Sequence, residues 1–180
     1  PTRRSSDPDT IVNPSCADVV DLSAMPFSET DFDWQALVPA GNGYPNMEIP
    51  MSNRFTEEKV VLGQHLFYDV RLSGDNTMAC ASCHSIDKAF TDGQATSEGI
   101  DGIFGTRSSM ALINIGFEFG NFRQHEFMWD GKFNSLEAQA IDPVENVIEM
   151  HADWADVECM LREDTTYQRL FRAAFDKIGR

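Results

Sequence analysis

Cys80-Ala81-Ser82-Cys83-His84 is the densest cluster of reactive side chains in the sequence. Two thiols three residues apart, with an imidazole directly after them, suit three chemistries: a redox dithiol, half of a zinc site, or covalent attachment of haem c. A redox dithiol normally sits at the strand-to-helix junction of a βαβ unit, and no such pattern is visible. A structural zinc site needs a second ligand pair at short spacing. Cys16 and Cys159 stand alone, and His65, His125 and His151 form no closely spaced pair. Haem attachment accounts for all three residues. The thiols reach two vinyl groups of one porphyrin as thioethers, and the following histidine is carried beneath the iron as an axial ligand. The expectation is one covalent haem c in this chain, on Cys80 and Cys83, with His84 as the metal ligand. Such attachment takes place outside the cytoplasmic membrane, which implies a periplasmic or otherwise exported protein. In that compartment Cys16 and Cys159 form a disulfide or remain two buried thiols.

The elements that must hold this motif are mostly helices. After Thr56, "TEEKVVLGQHLFYD" opens with a cap residue and first-turn acids, and Leu62 and Leu66 share a face. "NSLEAQA" has Asn134 followed three residues later by Glu137, a capping-box-like start. "DWADVECMLRE" puts Trp154, Val157 and Leu161 on one stripe behind an Asp153 cap. Tyr167, Leu170, Phe171, Ala174 and Phe175 follow the most regular helical spacing in the chain. Residues 85 to 107 read as loop, and alternating strand patterns are nearly absent. Residues 1 to 52 are polar and rich in turn formers, so they read as an extended arm that docks through Phe27, Trp34, Leu37 and Val38. Residues 53 to 180 form the domain proper. The fold class is mainly α, a cytochrome c-like haem domain with long loops and an N-terminal arm.

Composition narrows the partners. In 180 residues, 29 acidic against 14 basic side chains give a formal net charge of −15. That argues against nucleic acid or an anionic membrane, and for a solvated surface or a basic partner reached by steering. No apolar run approaches the roughly 20 residues of a membrane span. "PTRRSSDPDT" has no apolar stretch behind its basic residues and reads as a mature or trimmed end, not a signal peptide.

With the motif and its frame in hand, the chain resembles the N-terminal haem domain of the bacterial di-haem cytochrome c peroxidases, a family that includes the di-haem enzyme of methylamine-dehydrogenase maturation. The matching text is "LGQHLFYDVRLSGDNTMACASCHSIDKAFTDG", "GTRSSMALINIGF", "FMWDGKFNSLEAQAIDPVENVIEMH" and "YQRLFRAAF", in the family's order across residues 53 to 176. The resemblance implies that Glu149 is the acid/base acting on peroxide, that Gln139 lines the same pocket, and that Trp129 lies on the electron route between two haems. It places Met128 where the family often has Phe. The chemistry is coherent: splitting hydrogen peroxide moves a proton from one oxygen to the other, which one carboxyl with a burial-raised pKa can do. From the residues alone, Glu149 reads as a solvated loop carboxylate, Gln139 as helix surface and Trp129 as a core anchor. Arg71 and Arg107 read as haem-propionate partners or as surface arginines.

Two departures from the family are visible. Residues 85 to 124 hold no histidine to cap the iron, which implies an open iron face unless His125, His151 or a methionine fills it. The sequence carries one C-x-x-C-H where the family has two, and it stops near the point where a second haem domain would begin. A fragment, a subunit and a one-haem relative all fit that pattern. The implied function is peroxide reduction with electrons from a small donor such as a cytochrome c or cupredoxin, with a second haem domain or subunit as a further partner. An electron-transfer cytochrome subunit, and a maturation enzyme acting on a partner protein, are the alternatives.

Overall fold

The computed structural model describes residues 49–117 and 126–175. The docked arm, its apolar anchors and Cys16 lie outside them, so the Cys16–Cys159 pairing does too; of residues 1–52 only 49–52 are described, and these are exposed. Five α-helices carry the described residues: α1 (Glu57–Tyr68), α2 (Cys80–Cys83), α3 (Leu136–Glu145), α4 (Trp154–Glu163) and α5 (Thr165–Phe175). Among the described residues there is no β-strand. Instead, three isolated antiparallel bridges, Ser85–Thr91, Glu98–Phe104 and Phe127–Phe133, each pinch a short loop closed. The mainly α expectation holds.

The helix starts follow local side-chain chemistry. Thr56 accepts the N–H of Lys59 at 3.3 Å, with Glu57 and Glu58 in the positive first turn of α1. Asp153 accepts the N–H of Ala155 at 2.7 Å and starts α4. At α3 the structure corrects the sequence reading by one residue. Ser135, not Asn134, is the cap, taking the N–H of Ala138 at 3.1 Å. Glu137 closes no capping box there; its carboxylate accepts from the Asn53 side-chain amide at 2.8 Å. Serine and asparagine are comparable caps, so local text could not choose between neighbours.

The core is two apolar clusters joined edge to edge. Val61 and Leu62 of α1 meet Tyr167, Leu170 and Ala174 of α5 in the first. Leu72, Val144, Met150 and Val157 form the second, and Leu66 and Leu161 pack against both. Burial of a leucine or valine at each position is worth about 1.5–3 kcal/mol.

A buried polar knot ties the first cluster down. Arg71 bonds Asp69 at 2.7 Å and Asp164 at 2.9 Å, with both carboxylates buried. Asp164 also caps α5, accepting the N–H groups of Thr166 (2.8 Å) and Tyr167 (3.2 Å). The Tyr167 hydroxyl donates to Asp69 at 2.8 Å, and burial together with that carboxylate pushes its pKa up. Arg71 is therefore no surface arginine: its guanidinium is held at the junction between α1 and α5.

Candidate functional site

One cleft of about 370 Å³ gathers most of the residues singled out from the sequence. That volume falls within the range of small-molecule and cofactor sites. Cys83, His84, Met128, Trp129, Gln139 and Glu149 all line it. Cys80 lies one helical turn before Cys83 on α2, and the two thiols are not bonded to each other. At i and i+3 on a helix they share a face. Burial raises both thiol pKa values. Cys83 is pushed up to about 11 by burial, with Asp92, Glu149 and Cys80 adding negative charge nearby. Among the described residues, no group of three or more His, Cys, Asp or Glu is placed to hold a metal ion.

The loop after α2 fixes the His84 ring. The backbone of Ala89 and Phe90 takes φ values of +58° at both residues, and the Phe90 N–H bonds the Ser85 carbonyl at 2.8 Å. That strained turn brings the Phe90 carbonyl to 2.8 Å from Nδ1 of His84. A carbonyl only accepts, so Nδ1 carries a proton, and in the neutral ring the lone pair is then on Nε2. A neutral imidazole with an oriented second nitrogen is the form that binds transition metals.

Glu149 sits on the segment after α3, gripped from two sides. Its carbonyl accepts the N–H of Ile100 at 2.9 Å, and the Met150 carbonyl accepts the N–H of Gly74 at 2.8 Å. Both contacts require glycine for space. A Cβ on Gly99 would lie 1.8 Å from the Ile148 carbonyl oxygen, and one on Gly74 would lie 2.3 Å from that of His151. Met150 is buried in the second apolar cluster, which anchors the segment from below. The Glu149 carboxyl is half-buried; burial, then Asp142, raises its pKa, against an opposing pull from Lys132. Asn146 donates to Glu149 Oε1 at 2.9 Å.

Gln139 lies on α3, and its amide nitrogen approaches the Met128 sulfur at 3.5 Å. Met128 takes a φ of +73° in the loop closed by the Phe127–Phe133 bridge. Pro143, inside α3, removes the N–H that would have bonded the Gln139 carbonyl and lines the same cleft. Trp129 is 59% exposed, with its indole N–H on the Ser108 carbonyl at 2.9 Å, so it is no core anchor. Arg107 lines the cleft and pairs with Asp130 at 3.4 Å, both exposed. His151 is exposed and does not line the cleft, whereas Met110 and Met128 do; His125 lies outside the described residues. Sequence reasoning missed Asn146, Gly74, Gly99 and the Phe90 carbonyl. Only Asn146 left a readable signal, an Asn directly after a helix in position for an Asx turn.

Residues 57–180 match the family model described as di-haem cytochrome c peroxidase. The chain belongs to that family. This di-haem peroxidase-family chain is 33% identical over 145 residues to the methylamine utilization protein MauG of Methylophilus methylotrophus, covering 79% of this chain and 42% of that protein. It is 33% identical to the cytochrome c peroxidase Ccp of Escherichia coli, covering 74% of this chain and 28% of that one. A MauG-like protein associated with microbial copper homeostasis superposes with a TM-score of 0.66 at 34% identity, over 83% of this chain and 41% of that one. The diheme peroxidase BthA of Burkholderia thailandensis, at 23% identity and a TM-score of 0.55, shares the fold. The family chain thus spans less than half the length of these relatives. Among the described residues no helix is long and apolar enough to cross a membrane.

Proposed function

We propose that this chain is the peroxidatic haem domain of a two-haem peroxidase, exported to the periplasm and reducing hydrogen peroxide with electrons from a cytochrome c or cupredoxin. The carrying observation is the pairing, across one cleft, of a metal-binding form of imidazole at His84 and a half-buried carboxyl with a raised pKa at Glu149. The donor set fits a covalently held haem c: two thiols on one face of a short helix, followed at once by an imidazole whose Nδ1 is held by the Phe90 carbonyl. Cys80 and Cys83 would form the thioethers and His84 would ligate the iron through Nε2. When bound, the haem supplies the iron that accepts peroxide and passes electrons.

The residues supply positioning and a proton. Glu149 takes a proton from peroxide at a carboxylate oxygen and returns it to the departing oxygen; a carboxyl with its pKa raised toward neutrality is suited to both halves. Gln139 offers a neutral amide that orients peroxide without competing as a charged ligand. Trp129, exposed at the rim, provides an aromatic route for electrons toward a second haem or a partner. The MauG relatives favour a second reading, in which the same proton chemistry serves oxidation of a partner protein.

Glu149→Gln tests the reading. Turnover of peroxide should fall by about 10²–10⁴-fold while haem content is unchanged. Stability should not fall. A carboxyl whose folded pKa is raised adds stability below its unfolded pKa and loses it as pH rises through the folded value, so at neutral pH the neutral glutamine removes a penalty. Turnover within threefold of the parent removes Glu149 from the mechanism.

A further inference from the structure

Asn146 makes five hydrogen bonds, and four of them build backbone. Its N–H closes α3 on the Asp142 carbonyl at 3.0 Å, and its carbonyl accepts the N–H groups of Glu149 (3.0 Å) and His151 (2.9 Å). Its side-chain Oδ1 accepts the N–H of Ile148 at 3.0 Å, an Asx turn. The fifth bond is different in kind: Nδ2 donates to Oε1 of Glu149 at 2.9 Å. The turn would exist without it. The amide orientation follows from donor logic, since the Ile148 N–H requires an oxygen opposite it and so leaves the NH₂ group facing the carboxyl. Among the described residues, Asn146 is the sole side-chain donor to that carboxyl.

We infer that Asn146 is the positioning residue of the proton-transfer group: its amide occupies Oε1, leaving Oε2 as the oxygen that carries the proton, and favours the ionised carboxylate. This rests on the Glu149 role proposed above. A neutral donor is the appropriate counterweight here. Burial and the Asp142 carboxylate of α3 favour the protonated form, and Lys132, from the loop before α3, pulls the other way; the His84 ring and the Cys83 thiol line the same cleft. Lys132 is spent on Asp142, bonded at 2.5 Å. The Asn146 bond therefore holds one oxygen at a fixed orientation without adding a charge to the cleft.

The test is Asn146→Asp in the haem-loaded protein, with Asn146→Ser as a second variant. Aspartate keeps volume and the acceptor for Ile148, but faces Glu149 with an oxygen. Serine keeps a turn acceptor and cannot reach the carboxyl. Two readouts follow the titration of Glu149: the pH dependence of cyanide binding, and the carboxyl stretch in difference infrared spectra, assigned through Glu149→Gln. The aspartate variant should shift both upward by at least about one pH unit, because two facing carboxylates resist joint ionisation. The serine variant should shift them upward by less. Thermal melts check that each variant is folded. A titration unmoved in both variants, even with turnover reduced, would make Asn146 a turn-forming residue and overturn the inference. If Glu149→Gln keeps full turnover, the proton-transfer role of Glu149 fails, while the infrared titration still decides what Asn146 does to the carboxyl.

Discussion

Gly99→Ala is the sharpest structural perturbation the fold offers, because it strikes the Glu149 segment without touching a polar group. The φ of Gly99 is −108°, which any residue can adopt, so the requirement is for space alone. The added Cβ would lie 1.8 Å from the Ile148 carbonyl oxygen, 2.8 Å from its carbon and 3.0 Å from Glu149 Cα. All three neighbours are backbone, so no rotamer change relieves the clash. Since real Cβ contacts essentially never fall below 3.0 Å, one segment must retreat by more than an ångström. Overpacking of this kind costs about 1–3 kcal/mol. Loss of the Ile100–Glu149 backbone bond adds about 1 kcal/mol. For a chain of this size that lowers Tm by roughly 4–16 °C. Displacing a catalytic group by about an ångström costs on the order of 10²-fold in turnover. A thermal melt and a steady-state peroxide assay at equal haem content read both effects. A variant that melts within 1 °C of the parent and turns over within twofold would show that the segment is not clamped at Gly99.

Two further changes probe the frame. Gly63 lies inside α1 and has nothing within 4 Å of a new Cβ, so Gly63→Ala should stabilise by about 0.5–1 kcal/mol and raise Tm; a lower Tm would mean that an unseen surface covers that face. Tyr167→Phe removes the 2.8 Å bond to the buried Asp69 carboxylate. The loss should be about 1.5–3 kcal/mol in a denaturant or thermal melt, and an unchanged melt would mean that Arg71 alone satisfies Asp69.

What was legible in the sequence was local. The C-x-x-C-H cluster needs only five residues to be read, and the Thr56 and Asp153 caps need three or four. The stripe from Tyr167 to Ala174 identified its own core face. The larger misses are long-range. Arg71 looked like a surface or propionate arginine because its second partner, Asp164, lies 93 residues away. Glu149 reads from sequence as a solvated loop acid; its burial comes from close backbone approaches at Gly74 and Gly99, and nothing in a linear text marks those glycines as space-limited. Trp129 was open to reading as a core anchor because tryptophan usually is one, and only the folded loop leaves it at the rim. The one-residue slip at the start of α3 has a smaller cause, two good caps side by side.

Covalent pigment retention tests the whole account most directly. Protein purified from a host competent for c-type haem maturation should show a Soret band, and its colour should stay with the polypeptide through acidified acetone. Replacing Cys80 and Cys83 together by serine should leave nothing attached. Colourless parent protein, or pigment that washes into the organic phase, would contradict the assignment of those two thiols and of everything built on His84 and Glu149.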